Sequence, residues 1–402
     1  MQYRKIPKNG DEISAIGYGC MRLPSRMGRI DEKKAEEQIR RAIDQGVNYF
    51  DTAYPYHGGN SESFLGKLFS DKSLREKVKI ATKLPPWSVN TREDMDRILK
   101  EQMEKLQVDC IDYYLVHGIM SQEDWDRMKG LGVLEFLDEA KEKGLIKNAG
   151  FSFHSNIQTF KNVVDDYDWT MCQIQYNYLD ETNQAGTEGL KYAAERDIAV
   201  FIMEPLRGGN LAGKMPKQAQ REWEQAKAKR SPAEWALRWV WNHKEVTCVL
   251  SGMNNDAHIM ENIIAAKSAL PHHLSDGELA RIERVRDIFY ALTKVPCTAC
   301  AYCMPCPVGV NIPLCFEKYN SKYLFGTLEA RVFYHIQVAG VMNDKPGKAS
   351  QCIECGKCEK HCPQHIEIIK ELKTVSSEME GIISKPLTWV IKKVIGANRK
   401  KE

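Results

Sequence analysis

Eight of the chain's thirteen cysteines fall between Cys297 and Cys362, in two compact runs, and this crowding limits what that segment can fold around. The first run holds Cys297, Cys300, Cys303 and Cys306, each separated from the next by two residues. The second holds Cys352, Cys355, Cys358 and, after three residues, Cys362. Prolines 307 and 363 follow the last cysteine of each run. Cysteines at this interval can turn their thiolates toward one centre, and a third adds another ligand direction. Two zinc sites would account for C-x2-C pairs, but zinc needs only four ligands and leaves the third cysteine and the prolines unexplained. Disulfides suit secreted chains, and residues 1–14 lack the apolar core of an export signal.

The second run matches the C-x2-C-x2-C-x3-C-P spacing of two-cluster bacterial ferredoxins, while the first has two residues instead of three before Cys306. The segment therefore resembles a two-[4Fe-4S] ferredoxin module. In that family the fourth cysteine of each run ligates the other cluster. The resemblance implies one cube on Cys297, Cys300, Cys303 and Cys362, and another on Cys352, Cys355, Cys358 and Cys306. His361 and His365 flank Cys362 and could donate to cluster sulfurs, with a packed or exposed role as the alternative. Cys20, Cys110, Cys172, Cys248 and Cys315 lie outside both runs and read as core residues.

The 402 residues suffice for one large barrel with a small extra domain, or for two or three ordinary domains. A net charge of +3 is nearly neutral at this size, so nothing points to a nucleic-acid surface. No run of about 18 apolar residues is present to form a transmembrane segment. A cytoplasmic location, reducing enough for thiolate ligands, is expected. The basic tail after residue 384 is mildly amphipathic; it is expected to pack on its own domain or fray, with membrane or partner contact as the alternative.

From residue 13 to about 290, short apolar runs alternate with charged amphipathic stretches, the rhythm of βα units on a parallel sheet. Strands are expected at 15–20, 47–52, 78–83, 110–117, 148–153, 171–176, 199–204 and 247–251. Helices are expected at 32–45, 92–106, 133–143, 188–196 and 232–242, the last with Ser231 as N-cap and Pro232 in its first position. Eight such units predict an α/β fold, a (β/α)8 TIM barrel with its chemistry at the strands' C-terminal ends. A doubly wound sheet is the alternative, but 17–22, GYGCMR, is not the GxGxxG fingerprint. Two further helices follow, with Ser275 and Glu278 reading as a capping box in the second. The expected domains are a barrel over 1–292, a small α-rich bacterial ferredoxin-like iron-sulfur domain over 293–370, and a C-terminal helix with basic tail over 371–402.

Polar residues close most predicted strands: FDTAYPYHGGNSE ends the second, KIATK the third and DYYLVH the fourth. Here the chain resembles the aldo-keto reductase family. Its signature joins an aspartate to a tyrosine five residues on and a Ser-Glu pair, then a lysine and a histidine at the next two strand ends. Those positions are Asp51, Tyr56, Lys83 and His117. The resemblance implies that Tyr56 is the general acid for a carbonyl taking up hydride. A tyrosine of pKa about 10 needs a neighbouring cation for that task. Lys83 would supply it, Asp51 would hold the lysine charged, and His117 would orient the carbonyl oxygen or share in proton transfer. Tyr54 competes for the acid role from the same loop, two residues nearer Asp51.

By the same resemblance, Ser152 and Gln173 would hold the nicotinamide carboxamide of NADP or NAD. Phe153 replaces the usual asparagine, with His154 beyond it, and Met203 stands where an aromatic usually stacks on the nicotinamide. The loop of Leu206, Gly208 and Gly209 could approach the pyrophosphate. Ser251, Gly252, His258, Glu261 and Asn262 map to the adenosine end, with Glu261 and Asn262 at the adenine. Gly252 and His258 replace a lysine and an arginine around the 2′-phosphate, which puts NADP preference in doubt. The implied protein is an oxidoreductase acting on a small carbonyl or alcohol, with clusters carrying single electrons to or from a redox partner protein. Because nicotinamide moves electrons in pairs, a flavin would normally divide them; no clear flavin motif is present. The rival is an electron carrier or assembly subunit whose barrel is a docking scaffold.

Overall fold

The computed structural model describes residues 1–213, 215–297, 303–339, 346–362, 364 and 366–381. Eight parallel strands close a barrel in chain order: β1 (Ile16–Gly19), β2 (Tyr49–Asp51), β3 (Lys79–Leu84), β4 (Ile111–Ile119), β5 (Ile146–Phe153), β6 (Met171–Gln175), β7 (Ala199–Met203) and β8 (Val246–Ser251). Nearly every strand residue is buried, because helices cover the outer face and side chains fill the inner one. Inside, Tyr49, Tyr113, Phe201, Cys248 and Leu250 share one apolar cluster with Ile6 and Ile13. The last two belong to an N-terminal hairpin, Tyr3–Lys5 paired with Glu12–Ser14, which the sequence reading missed. Tyr49, Met171 and Ala199 open their strands and share this cluster, so the hairpin closes the barrel's N-terminal end and leaves the other end open.

Strand positions follow the apolar runs, with edges coinciding or differing by at most two residues. One two-residue extension carries β4 to Ile119, where the register against β5 shifts and Gly118 takes φ +59°. The helix Glu32–Asp44 buries Ala35, Ile39, Ala42 and Ile43 at helical spacing and is capped by the Asp31 side chain, which accepts from the Lys34 N–H. Ser231 caps Pro232–Trp241 in the same way through the Glu234 N–H. At the helix Asp276–Leu292, Ser275 and Glu278 form the reciprocal capping box. Trp235, Trp239 and Trp241 are all buried in packing.

The chain divides into two compact units, residues 1–213 with 227–282, and 214–226 with 283–402. In the second, the helices Ile312–Phe325, Thr327–Gln337 and Ile368–Met379 build a core around Phe316, Tyr334, Leu372 and Val375. Cys297, Cys303, Cys306, Cys352, Cys358 and Cys362 pack against this core, while Cys315 is inside it. Cys300, His365, Pro363 and the basic tail lie outside the described residues. No helix among the described residues is long and apolar enough to cross a membrane.

Candidate active site

Asp51 closes β2, Lys83 stands near the end of β3, and His117 near the end of β4, so adjacent strands deliver three polar side chains to one place. Tyr56 comes from the short helical turn after β2. Lys83 Nζ donates to Asp51 Oδ2 and to the Thr52 carbonyl, each at 2.7 Å. It also lies 5.1 Å from the centre of the Tyr56 ring. The Tyr56 and His117 ring centres are 6.1 Å apart, nearly perpendicular. Tyr54 turns away: its hydroxyl donates to Glu101 at 3.0 Å and its ring lies under Lys105.

Burial opposes the Lys83 charge, but Asp51 and the Tyr56 phenol more than offset it, and the ammonium is held above its ordinary pKa. Burial raises the Tyr56 pKa, against the pull of Lys83. Burial also drives His117 well below the usual histidine value, helped by Lys83 and His154. The imidazole is therefore neutral at physiological pH. Its Nδ1 is buried without a hydrogen-bond partner, which leaves capacity for a ligand atom.

These four residues line a cavity of about 590 Å³ together with Ser152, Gln173, Met203 and Gly252. Ser152 Oγ accepts from the Gly118 N–H at 2.7 Å, and Gln173 Oε1 is buried without a hydrogen-bond partner. A hydroxyl and an unsatisfied amide oxygen suit a carboxamide, which presents both donors and an acceptor. Leu206, Gly208, Gly209, Ser251, His258, Glu261 and Asn262 are not among the cavity's lining residues. Gly208 and Gly209 are exposed with φ of +67° and +98°. Asn262 is turned inward, donating to Ser251 Oγ at 2.9 Å, while Glu261 is half-buried and His258 is exposed beside its capping partner Asn255. The sequence reading missed Arg22, His57 and Glu204 in the lining, and Trp87, whose ring centre is 5.1 Å from His117. His154 lines it too, and burial lowers its pKa.

In the second unit, Cys306, Cys352, Cys355 and Cys358 line one cavity of about 310 Å³, with Cys303 and His361 also on its wall. Among the described residues, no cysteine is joined in a disulfide. The Glu354 N–H points at Cys352 Sγ, 3.4 Å away. Cysteine thiols gathered around one void are the kind of donor set that a four-iron cube requires.

Residues 15–287 match the family model described as aldo/keto reductase family, and residues 296–367 the model described as 4Fe-4S dicluster domain. The aldo-keto reductase YhdN of Bacillus subtilis is 31% identical over 231 residues, which is 54% of this chain and 66% of that protein. The chain thus spans just under two thirds of that relative. L-galactose dehydrogenase of Arabidopsis thaliana is 25% identical over 319 residues, covering 73% of this chain and 97% of that one. An aldo-keto reductase from Bacillus halodurans in its holo form superposes with a TM-score of 0.59 at 23% identity, over 71% of this chain and 96% of that one, a likeness of fold. With the first model covering most of its length, the chain belongs to the aldo/keto reductase family, and it carries the 4Fe-4S match on its C-terminal side.

Proposed function

We propose that the barrel interconverts a small carbonyl and its alcohol with a nicotinamide dinucleotide, and that the second unit carries two [4Fe-4S] clusters for single-electron transfer. The observation that carries the reading is the convergence of Asp51, Tyr56, Lys83 and His117 on one cavity, with Lys83 paired to Asp51 at 2.7 Å. Bound against Ser152 and Gln173, the nicotinamide would supply hydride to the carbonyl carbon. Tyr56 holds its proton at neutral pH and releases it to the developing alkoxide, because the Lys83 ammonium stabilises the phenolate left behind. Asp51 keeps that ammonium charged in a dry site. His117, neutral, donates to the carbonyl oxygen and fixes its orientation rather than acting as an acid. Glycine at 252 and an exposed histidine at 258 give the 2′-phosphate no fixed cation, so the site is proposed to accept NADH as well as NADPH. The kinship with a sugar dehydrogenase is compatible with hydroxylated substrates.

Cys306, Cys352, Cys355 and Cys358 would hold one cluster, and Cys297, Cys300, Cys303 and Cys362 the other. Anaerobically purified protein should oxidise NADH or NADPH with a panel of aldehydes, ketones and aldoses. Tyr56→Phe should lower turnover at least about 100-fold, the usual worth of a positioned general acid. If neither dinucleotide binds at millimolar levels and Tyr56→Phe changes no measured rate, the barrel is not a reductase.

A further inference from the structure

The pair Ser61 and Glu62 takes no part in the proton transfer above, yet both side chains are fully buried where the helix Ser61–Phe69 begins. Ser61 Oγ accepts from Thr52 Oγ1 at 2.8 Å, and Glu62 Oε1 accepts from Thr82 Oγ1 at 2.6 Å. Thr52 follows Asp51, and Thr82 precedes Lys83. Because side chains alternate along extended backbone, each threonine faces the side opposite its neighbour. Two consecutive helix residues therefore grip, from outside the barrel, the two strand ends whose inward residues are Asp51 and Lys83. The grip reaches the ammonium itself, since the Thr52 carbonyl is an acceptor for Lys83 Nζ.

A second helix completes the network. From Arg92–Leu106, Gln102 Nε2 donates to Glu62 Oε1 at 2.6 Å and to the Lys83 carbonyl at 3.1 Å, while Gln102 Oε1 accepts from the Tyr114 hydroxyl at 2.8 Å. The two helices meet this closely because residue 66 is glycine: a Cβ there would lie 2.1 Å from the Lys105 carbonyl oxygen. Burial raises the Glu62 pKa, against its hydrogen bonds from Thr82 and Gln102.

We propose that Ser61 and Glu62 are positioning residues, a buried brace that sets the Asp51 and Lys83 strand ends so that the Lys83 ammonium reaches both Asp51 and Tyr56. The inference rests on the reading of Lys83 as the cation behind the acid. A packing role alone would change stability and leave the ammonium's surroundings as they are.

The test uses the full chain, labelled with 15N-lysine and kept anaerobic. A buried, paired ammonium exchanges its protons slowly, and the Lys83 signal is assigned by its loss in Lys83→Met. Thr82→Val removes the hydroxyl at nearly constant volume, and Glu62→Ala removes the acceptor. Both should speed ammonium proton exchange about tenfold, the worth of one buried hydrogen bond. Both should also lower kcat, by up to about 100-fold, with KM little changed. Thr82→Ser and Glu62→Gln, which keep the hydroxyl and the acceptor oxygen, should retain the wild-type signal. An unchanged signal in both Thr82→Val and Glu62→Ala overturns the brace, as does the absence of a protected Lys83 signal in the wild type. The signal needs no turnover, so this failure is distinct from that of the reductase reading, which shows as turnover surviving Tyr56→Phe.

Discussion

Lys83 is fully buried, and a buried ammonium persists only where a partner and hydrogen bonds replace water. Asp51 supplies the charge and the Thr52 carbonyl a second acceptor. Removing the carboxylate strands the cation, so Asp51→Ala should destabilise the barrel by about 3–5 kcal/mol in chemical unfolding. A loss within the range of a surface pair, about 0–1 kcal/mol, would mean that Lys83 is not charged in the folded protein. His117 and His154 run the opposite way. Both have depressed pKa values in the folded state, so the unfolded chain binds protons more readily. Their contribution is complete above the unfolded histidine value of about 6.5 and is lost as pH falls below it, by up to about 1.4 kcal/mol per pH unit for each. Unfolding midpoints of wild type and His117→Gln, followed downward from pH 7, should show the shallower acid loss in the variant; parallel curves would contradict the burial of a neutral imidazole.

At the scale of elements, helix Ser61–Phe69 is fixed against Arg92–Leu106 at a spacing that only glycine allows at position 66. Gly66→Ala should push the helices apart and destabilise by about 1–3 kcal/mol, read as a lower Tm. An unchanged Tm would show that the contact can yield. The barrel strands were legible in the sequence because each is a buried apolar run between polar helices. The N-terminal hairpin was not, since strands of three residues such as Tyr3–Lys5 are too short and charged to display a period. The grouping of Asp51, Tyr56, Lys83 and His117 was legible through the resemblance to the aldo-keto reductase signature, whose five-residue interval from Asp51 also implied Tyr56 rather than Tyr54. What spacing could not give was the wall: Arg22, His57 and Glu204 enter the cavity through loop conformations, with His57 and Glu204 at positive φ, which sequence patterns do not encode. In the same way, the turn of Asn262 inward onto Ser251 depends on burial, which sequence patterns do not encode.

Across the full chain, the proposed function places two chemistries, hydride transfer and single-electron transfer, on one polypeptide. On the cluster side, anaerobic protein should be brown and contain about eight iron and about eight acid-labile sulfide per chain. Cys306→Ser should damage the cluster held by the second cysteine run, and Cys362→Ser the one held by the first, each read by iron content and by the spectrum of the reduced cluster. A colourless protein holding two zinc ions would end the cluster reading. In the proposed function the barrel passes hydride directly to the carbonyl, without drawing single electrons from the clusters. The direct check is to supply reduced dinucleotide with both nicotinamide C4 hydrogens replaced by deuterium to anaerobic protein with a carbonyl substrate, and to weigh the alcohol formed. One deuterium is expected on the former carbonyl carbon, in wild type and with the clusters oxidised or reduced. Alcohol that forms without the label, or only when the clusters are reduced, would contradict it.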